Sequence, residues 1–152
     1  MPPATYVPHI AQFLQALRIP RDRLDSRSKI AVDPRLLVQI IRQSVAALPF
    51  DPGYYLATYD DVAQAHASGG IADLHAHFIE SGYFEGRLGA DPAVDRRHYL
   101  ATYPDVGRAI AEGQIASASD HYTQRGAAEG RSANPDEVAD IARWMAVLRP
   151  DA

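Results

Sequence analysis

Residues 94–131 read VDRRHYLATYPDVGRAIAEGQIASASDHYTQRGAAEGR, and they repeat residues 50–87, which read FDPGYYLATYDDVAQAHASGGIADLHAHFIESGYFEGR. The two segments align without a gap at an offset of 44 residues, the distance from position 50 to position 94. Of the 38 aligned positions, 18 are identical. Unrelated segments of ordinary composition would agree at roughly one position in fifteen. A fixed period of this length predicts a duplicated structural unit.

Each copy of the repeat predicts three short helices. The predicted helix starts are Asp51, Asp60 and Ala72 in the first copy and Asp95, Pro104 and Ser117 in the second. Aspartate is a preferred N-cap, and it suits the positive end of a helix dipole. We expect Gly82 and Gly126 to end the third helix in the left-handed conformation that other residues resist. No segment alternates polar and apolar residues as a strand would, so the predicted class is all-α.

The segments outside the repeats also predict helices. The sequence favours one structural domain with a flexible tail at 1–8, N-terminal helices at 9–48 packing on the repeats, repeat 1 at 49–91, repeat 2 at 92–133 and a C-terminal capping helix at 134–152. Asp33 and Pro34 predict the start of the second N-terminal helix. Residues 36–48 are apolar nearly all round, so this helix is either central or covered by a partner. Asn134 as N-cap and Glu137 three positions later predict a capping box for the last helix.

Composition excludes several classes of function. The net charge is −4, and no run of basic residues is longer than Arg96-Arg97, which argues against a nucleic-acid partner. The chain has no cysteine, so disulfides, thiolate catalysis and cysteine-ligated metals are excluded. No apolar stretch approaches 18 residues, and the N-terminus lacks the features of a signal peptide. We therefore expect no membrane span and a cytoplasmic location.

The histidines do not form a convincing metal site. His75 and His77 stand two positions apart on a predicted helix, so their side chains point about 200° apart and cannot share a metal in regular helix geometry. His77 recurs as His121, which favours a packed imidazole bonded to a carbonyl or a tyrosine hydroxyl. No Ser/His/Asp set, phosphate loop or dinucleotide fingerprint stands out. We predict no catalytic residue, no metal and no cofactor, and hence no enzyme.

The remaining candidate residues are possible contacts with a partner or a glycan. Arg87 and Arg131 recur in Glu-Gly-Arg, where each could contact an anion or a glycan, or pair at a helix end or with an acid of the next unit. Their repetition favours the structural role. The recurring tyrosines have core-like spacing, so the better candidates for an exposed contact are Tyr54, Tyr83 and Phe84. At the N-terminus, the apolar face formed by Ile10, Phe13 and Leu17 either docks a partner or packs on the repeats, and packing is favoured.

The second copy carries a recognisable pattern, formed by Tyr99, Leu100, Tyr103, Pro104, Asp105, Val106, His121, Tyr122, Gly126, Glu129, Gly130 and Arg131. The pattern resembles a short helical repeat found in tandem in bacterial proteins. The usual neighbours of that repeat are glycosyltransferases, other proteins of surface-polysaccharide synthesis and some calcium-binding exoproteins. The first copy departs from it with Asp60 in place of the proline and Phe78 in place of the tyrosine. The resemblance covers about half of the chain, and it implies a cellular setting and not a reaction.

Together these features predict a non-enzymatic interaction or scaffold module. The resemblance implies an accessory role in bacterial exopolysaccharide production, with another protein as partner, such as a glycosyltransferase or another component of polysaccharide synthesis. Self-association stays open because residues 36–48 are so apolar. The alternative is a carbohydrate-binding module that uses exposed tyrosine and arginine side chains, namely Tyr54, Tyr83, Phe84, Arg87 and Arg131.

Overall fold

The computed structural model describes residues 6–24, 26 and 29–149. Every regular element within these ranges is helical and none is a strand, which confirms the predicted all-α class. Residues 1–5 of the predicted tail and 150–152 of the predicted C-terminal segment lie outside the described residues. The chain groups into two compact units, Met1–Gly89 and Ala90–Ala152, and each unit holds one repeat. That the chain is a single structural domain stays a prediction.

Two helices precede repeat 1 in the first unit: α1 (Ile10–Leu17) and α2 (Pro34–Ala46). The start of α2 is as predicted, because the Asp33 carboxylate accepts a hydrogen bond from the backbone N–H of Arg35. The helix packs against the third helix of repeat 1 and buries Val45 in the core of that repeat. Leu37 and Ile40 remain exposed. Helix α2 therefore covers repeat 1 with one of its sides.

Equivalent helices build the two repeats. Repeat 1 contains α3 (Pro52–Thr58), α4 (Asp60–Ala67) and α5 (Leu74–His77), which continues as a π-helical turn over Phe78–Gly82. Repeat 2 contains α6 (Arg96–Thr102), α7 (Pro104–Ala111) and α8 (Ala118–His121), which continues through a π-helical turn at Tyr122–Gly126 into α9 (Ala127–Glu129). Each helix that both repeats share begins 44 residues after its counterpart. The sequence did not predict the π-helical turns.

The predicted left-handed conformation of Gly82 and Gly126 is wrong. Gly126 has φ −58° and ψ −41°, so the helix runs on through it, and Gly82 is absent from the residues with positive φ. Gly86 and Gly130, four positions later, adopt the left-handed conformation instead, with φ values of +81° and +73°. A Cβ on Gly126 would collide with the hydroxyl of Tyr99. Glycine stands here because a buried tyrosine leaves no room, and not because of backbone conformation.

Each repeat has its own core around one fully buried tyrosine. Tyr55 in repeat 1 and Tyr99 in repeat 2 are both 0 % exposed. The core of repeat 1 also contains Val62, Leu74, Phe78 and Ile79, together with Val45 of α2, whereas that of repeat 2 is completed by Val106 and Ala118. The position of buried Ile79 is taken in repeat 2 by Thr123, which is exposed. The face that receives α2 on repeat 1 is therefore partly polar on repeat 2.

The last helix, α10 (Val138–Leu148), follows a 3₁₀ turn at Pro135–Glu137. The Asn134 side chain caps this turn as predicted, but Glu137 accepts from the N–H of Ala133, so the predicted capping box is not completed on Asn134. Ile141 and Met145 are half-buried, and the Met145 methyl group lies over Gly130. Helical spacing predicts one apolar stripe on this helix, formed by Val138, Ile141, Ala142, Met145 and Leu148. The stripe is wrong in part: Val138, Ala142 and Leu148 are exposed, and burial is confined to the side of α10 that holds Ile141 and Met145.

Candidate functional site

The histidine that recurs in both repeats is bonded to the buried tyrosine. The Tyr55 hydroxyl lies 3.1 Å from Nδ1 of His77, and the Tyr99 hydroxyl lies 2.9 Å from Nδ1 of His121. Burial raises the pKa of both tyrosines to about 12, so the hydroxyls keep their protons. The predicted structural role of these histidines, a packed imidazole bonded to a tyrosine hydroxyl, is confirmed.

The arginine of repeat 1 ties the end of the repeat to its second helix. Arg87 donates two parallel hydrogen bonds to the Asp61 carboxylate at 2.8 and 2.7 Å, and its Nε donates to Glu85 at 2.8 Å. The guanidinium carbon stands 4.9 Å from the ring centroid of Tyr59. The hydrogen bonds from Arg87 lower the pKa of Asp61 to about 2, and the same pairing raises the pKa of Arg87. This is the geometry of a bidentate, aromatic-stacked arginine.

Repeat 2 reproduces this arrangement at the same positions. Arg131 donates to Asp105 at 3.1 and 2.9 Å and to Glu129 at 2.6 Å, and it lies 4.7 Å from the Tyr103 ring centroid. The hydrogen bonds from Arg131 hold the pKa of Asp105 below its usual value. Pairing of the arginines with an acidic residue was predicted correctly. The acidic residue belongs to the same repeat, however, and not to the next unit. Arg87 and Arg131 thus donate their hydrogen bonds to acceptors within their own repeats. A glycan contact through them stays a prediction.

The second recurring tyrosine accepts a backbone hydrogen bond. The Tyr59 hydroxyl receives the N–H of Leu88 at 2.7 Å, and the Tyr103 hydroxyl receives the N–H of Ser132 at 2.8 Å. These contacts join residues 29 positions apart. The sequence indicated that the tyrosines belong to the core but gave no sign of these partners. Ser132 also bonds the ring Nε2 of His98 at 2.9 Å.

His66 and His75 are likewise engaged in packing. The Nδ1 atom of His66 lies 2.7 Å from the carbonyl oxygen of Ile71. The His75 ring stacks on Phe50 with a centroid distance of 4.8 Å. Across residues 6–24, 26 and 29–149, no three side chains of the types His, Cys, Asp or Glu group as metal ligands. The described residues therefore offer no obvious centre for metal chemistry.

Two aromatic residues peculiar to repeat 1 lie at its surface. Tyr83 is 41 % and Phe84 is 44 % exposed, and their rings stand nearly perpendicular at a centroid distance of 5.7 Å. The guanidinium carbon of Arg42 lies 5.8 Å from the Phe84 ring centroid, a neighbour that the sequence did not reveal. We call Tyr83, Phe84 and Gly86 the aromatic turn. Tyr54, the third aromatic candidate, is half-buried on α3.

Apolar side chains are also exposed on the two terminal helices. On α1, Ile10 is exposed while Phe13 and Leu17 are half-buried. Phe13 lines an apolar groove of about 420 Å³ together with Leu36 and Ile40 of α2. The packing of this α1 face on the repeats stays a prediction. On α10, the exposed fractions reach 64 % for Trp144, 74 % for Val147 and 63 % for Leu148. The sequence did not predict this outer face of α10.

The described helices are all too short or too polar to cross a bilayer; the longest of them, α2, has 13 residues. Comparison of the chain with protein-family models, with curated proteins and with solved structures found no match.

Proposed function

We propose that the chain is a non-enzymatic protein-interaction module, a scaffold or adaptor whose partner is another protein. The proposal rests on a contrast between the polar residues that the repeats share and the apolar residues that are exposed. The shared tyrosine–histidine and arginine–carboxylate pairs are bonded inside each repeat, whereas the large exposed apolar residues lie outside the shared set. Tyr83, Phe84 and Trp144 are the aromatic members of this exposed group.

The internal bonding of the polar residues argues against catalysis. A general acid or base must reach a substrate and titrate near the working pH. Tyr55 and Tyr99 are fully buried and have pKa values of about 12, and each histidine bonded to them serves the same contact. The arginines and their aspartates neutralise each other. These tyrosines, histidines and ion pairs stabilise the fold, and few of their groups remain for catalysis.

The exposed apolar residues favour recognition of a protein. Tryptophan and tyrosine are enriched among the residues that contribute most to binding energy, and phenylalanine is enriched at interfaces in general. Exposed aromatic residues that the fold does not need are more informative than scattered exposed leucines. Trp144 and Val147 lie three positions apart on α10 and so belong to one face of the helix.

We further propose a cytoplasmic accessory role in bacterial exopolysaccharide production, with a glycosyltransferase or another component of polysaccharide synthesis as the partner. This setting rests on the resemblance of the repeat, above all on Tyr103, Pro104, Asp105 and Val106 of the second copy.

Cross-linking in the producing bacterium tests the proposal. The tagged chain is compared with variants Phe84→Ser and Trp144→Ser, and the matched control is Gln124→Ser, an exposed polar position on repeat 2. We expect a polysaccharide-synthesis protein to be cross-linked to the wild type and the control, and to be reduced at least about fivefold in one of the two apolar variants. Equal recovery with all four chains, at unchanged circular dichroism, would refute an interaction through these residues.

A carbohydrate-binding module is the second candidate, and the perpendicular aromatic pair beside Arg42 favours it. Sugars stack on exposed aromatic faces, and Tyr83 and Phe84 provide two such faces. Calorimetry against the polysaccharide of the producing organism separates the candidates. Saturable binding that Tyr83→Ala abolishes while the helical content is unchanged would replace the protein partner with a glycan.

A further inference from the structure

We infer that the aromatic turn of repeat 1 is a docking site for an amphipathic helix of a partner protein, and that the contact of α10 with repeat 2 provides its template. The inference rests on the proposed function and specifies the partner. It depends on three comparisons between equivalent positions of the two repeats.

The first comparison shows that the two turns have the same framework. Gly86 and Gly130 both adopt the left-handed conformation, with φ values of +81° and +73°. The following arginine forms the same bidentate pair in each repeat, and the next backbone N–H donates to a tyrosine hydroxyl in each. A side chain that fits over one turn therefore meets a closely similar backbone on the other.

The second comparison shows that only one of the turns is covered. On repeat 2, the Met145 side chain of α10 lies so close over Gly130 that a Cβ on this glycine would collide with its methyl group. On repeat 1, a Cβ on Gly86 would meet no atom within 4 Å. The left-handed glycine thus makes a shallow seat for an apolar side chain, occupied on repeat 2 and open on repeat 1.

The third comparison concerns the side chains beside the seat. Repeat 2 has Ala127 and Ala128 where repeat 1 has Tyr83 and Phe84, both more than 40 % exposed. Burying the two rings would remove a large apolar area from water, which favours binding. Two aromatic rings beside an open seat make a stronger helix-binding surface than the two alanines beside the occupied seat of repeat 2.

The chemistry of the partner helix follows from this surface. It presents a flexible apolar side chain, methionine or leucine, to Gly86, and further apolar residues three and four positions away to Tyr83 and Phe84. An acidic residue on its flank would face the guanidinium of Arg42 near Phe84. The α10 of a second copy fits less well, because its Ile141 and Met145 side is already half-buried.

The test uses the full chain and a fluorescein-labelled peptide of residues 134–149, which carries the template helix. Fluorescence anisotropy should show saturable binding of the peptide to the wild-type chain. We expect Phe84→Ala to weaken this binding at least about tenfold, and a peptide with Met145→Gln to bind similarly weakly. The matched control is Ala128→Glu, at the position of repeat 2 equivalent to Phe84, which should leave the affinity unchanged.

Three results would overturn the inference: no saturable binding, equal affinity of the wild type and Phe84→Ala, or weakening by Ala128→Glu, which would mean that the peptide exchanges with α10 on repeat 2. Sedimentation of the wild-type chain gives a further criterion, since a dimer that Phe84→Ala dissociates would assign the turn to a second copy. Failure here is distinguishable from failure of the proposed function. A partner that Trp144→Ser releases and Phe84→Ser retains would leave an interaction module that binds through α10.

Discussion

Replacing Gly126 with alanine should destabilise the second unit although the residue lies in a helix. Alanine is ordinarily favoured over glycine in a helix interior by about 1 kcal/mol. At this position the new methyl group would collide with the Tyr99 hydroxyl, which is fixed by its 2.9 Å hydrogen bond to His121. The tyrosine is completely buried and cannot swing into solvent to relieve the contact.

The magnitude follows from these opposing terms. Overpacking a well-filled core costs about 1–3 kcal/mol. Displacing the hydroxyl also weakens the hydrogen bond to His121, whose net contribution is about 0.5–1.5 kcal/mol. After the gain in helix propensity is subtracted, Gly126→Ala should lower the free energy of unfolding by about 1–3 kcal/mol. The control Gly107→Ala lies within α7, where a Cβ would meet nothing within 4 Å, and it should raise the free energy of unfolding by up to about 1 kcal/mol.

A double-mutant cycle isolates the collision. Tyr99→Phe removes the hydroxyl, and the nearest atoms to a new Cβ are then Cδ2 of Tyr122 at 3.3 Å and Cζ of residue 99 at 3.4 Å, which need a shift of only a few tenths of an ångström. Gly126→Ala should therefore cost little in the Tyr99→Phe background, with a coupling of about 1–3 kcal/mol. Urea unfolding followed by circular dichroism, with calorimetry to detect separate transitions of the two units, measures each corner. Equal cost of Gly126→Ala in both backgrounds would refute the explanation of why glycine is required there.

Three further predictions concern the titration and the backbone of the repeats. The pKa of Asp61 is about 2 in the folded state and about 3.9 in an unfolded chain. Its pairing therefore stabilises the fold above pH 4, and this stabilisation is lost as the pH falls towards 2. The acid side of a stability–pH profile should be flatter for Asp61→Asn. If that slope were unchanged, the pair with Arg87 would not contribute. Ala93 has a φ of +49°, so Ala93→Gly should raise the free energy of unfolding by about 0.5–1 kcal/mol, and a lower melting temperature would contradict the left-handed assignment. Asp51 accepts from the N–H of Gly53 at 2.8 Å, and Asp51→Ala should cost about 1 kcal/mol in urea unfolding, whereas no loss would mean that the cap is dispensable.

Local signals were sufficient to predict the helix starts. The caps at Asp33, Asp51 and Asp95 each accept a backbone N–H two or three residues ahead, so all the atoms involved lie in one short segment. A side chain that prefers such a cap marks a helix start wherever it occurs. The starts of these three helices therefore followed from the sequence, whereas the end of the third helix of each repeat did not.

Contacts between distant positions could not be predicted in the same way. The partner of Arg87 is Asp61, 26 positions earlier, and nothing in either residue specifies the other. Gly82 and Gly126 were assigned to the wrong role because a glycine near a helix end usually caps it. The true reason, a tyrosine hydroxyl arriving from the first helix of the repeat, exists only in three dimensions.

The candidate binding residues were predicted in part through the duplication. The shared histidines and arginines proved to be bonded within the repeat, and the unshared Tyr83 and Phe84 are exposed as expected. The approach of Arg42 to Phe84 and the exposure of Trp144 were not foreseen. Both depend on which side of a flanking helix faces the repeat, and that choice is made by contacts between residues far apart in the sequence.

Amide hydrogen exchange at two residues tests most directly whether the repeated residues serve packing. The N–H groups of Leu88 and Ser132 both lie after the third helix of a repeat, and both donate to a tyrosine hydroxyl. We predict similar slow exchange at the two amides, with Tyr59→Phe removing the protection of Leu88 alone and Tyr103→Phe that of Ser132 alone. Fast exchange at either amide in the wild-type chain, or protection that survives loss of its hydroxyl, would contradict the equivalence of the two repeats.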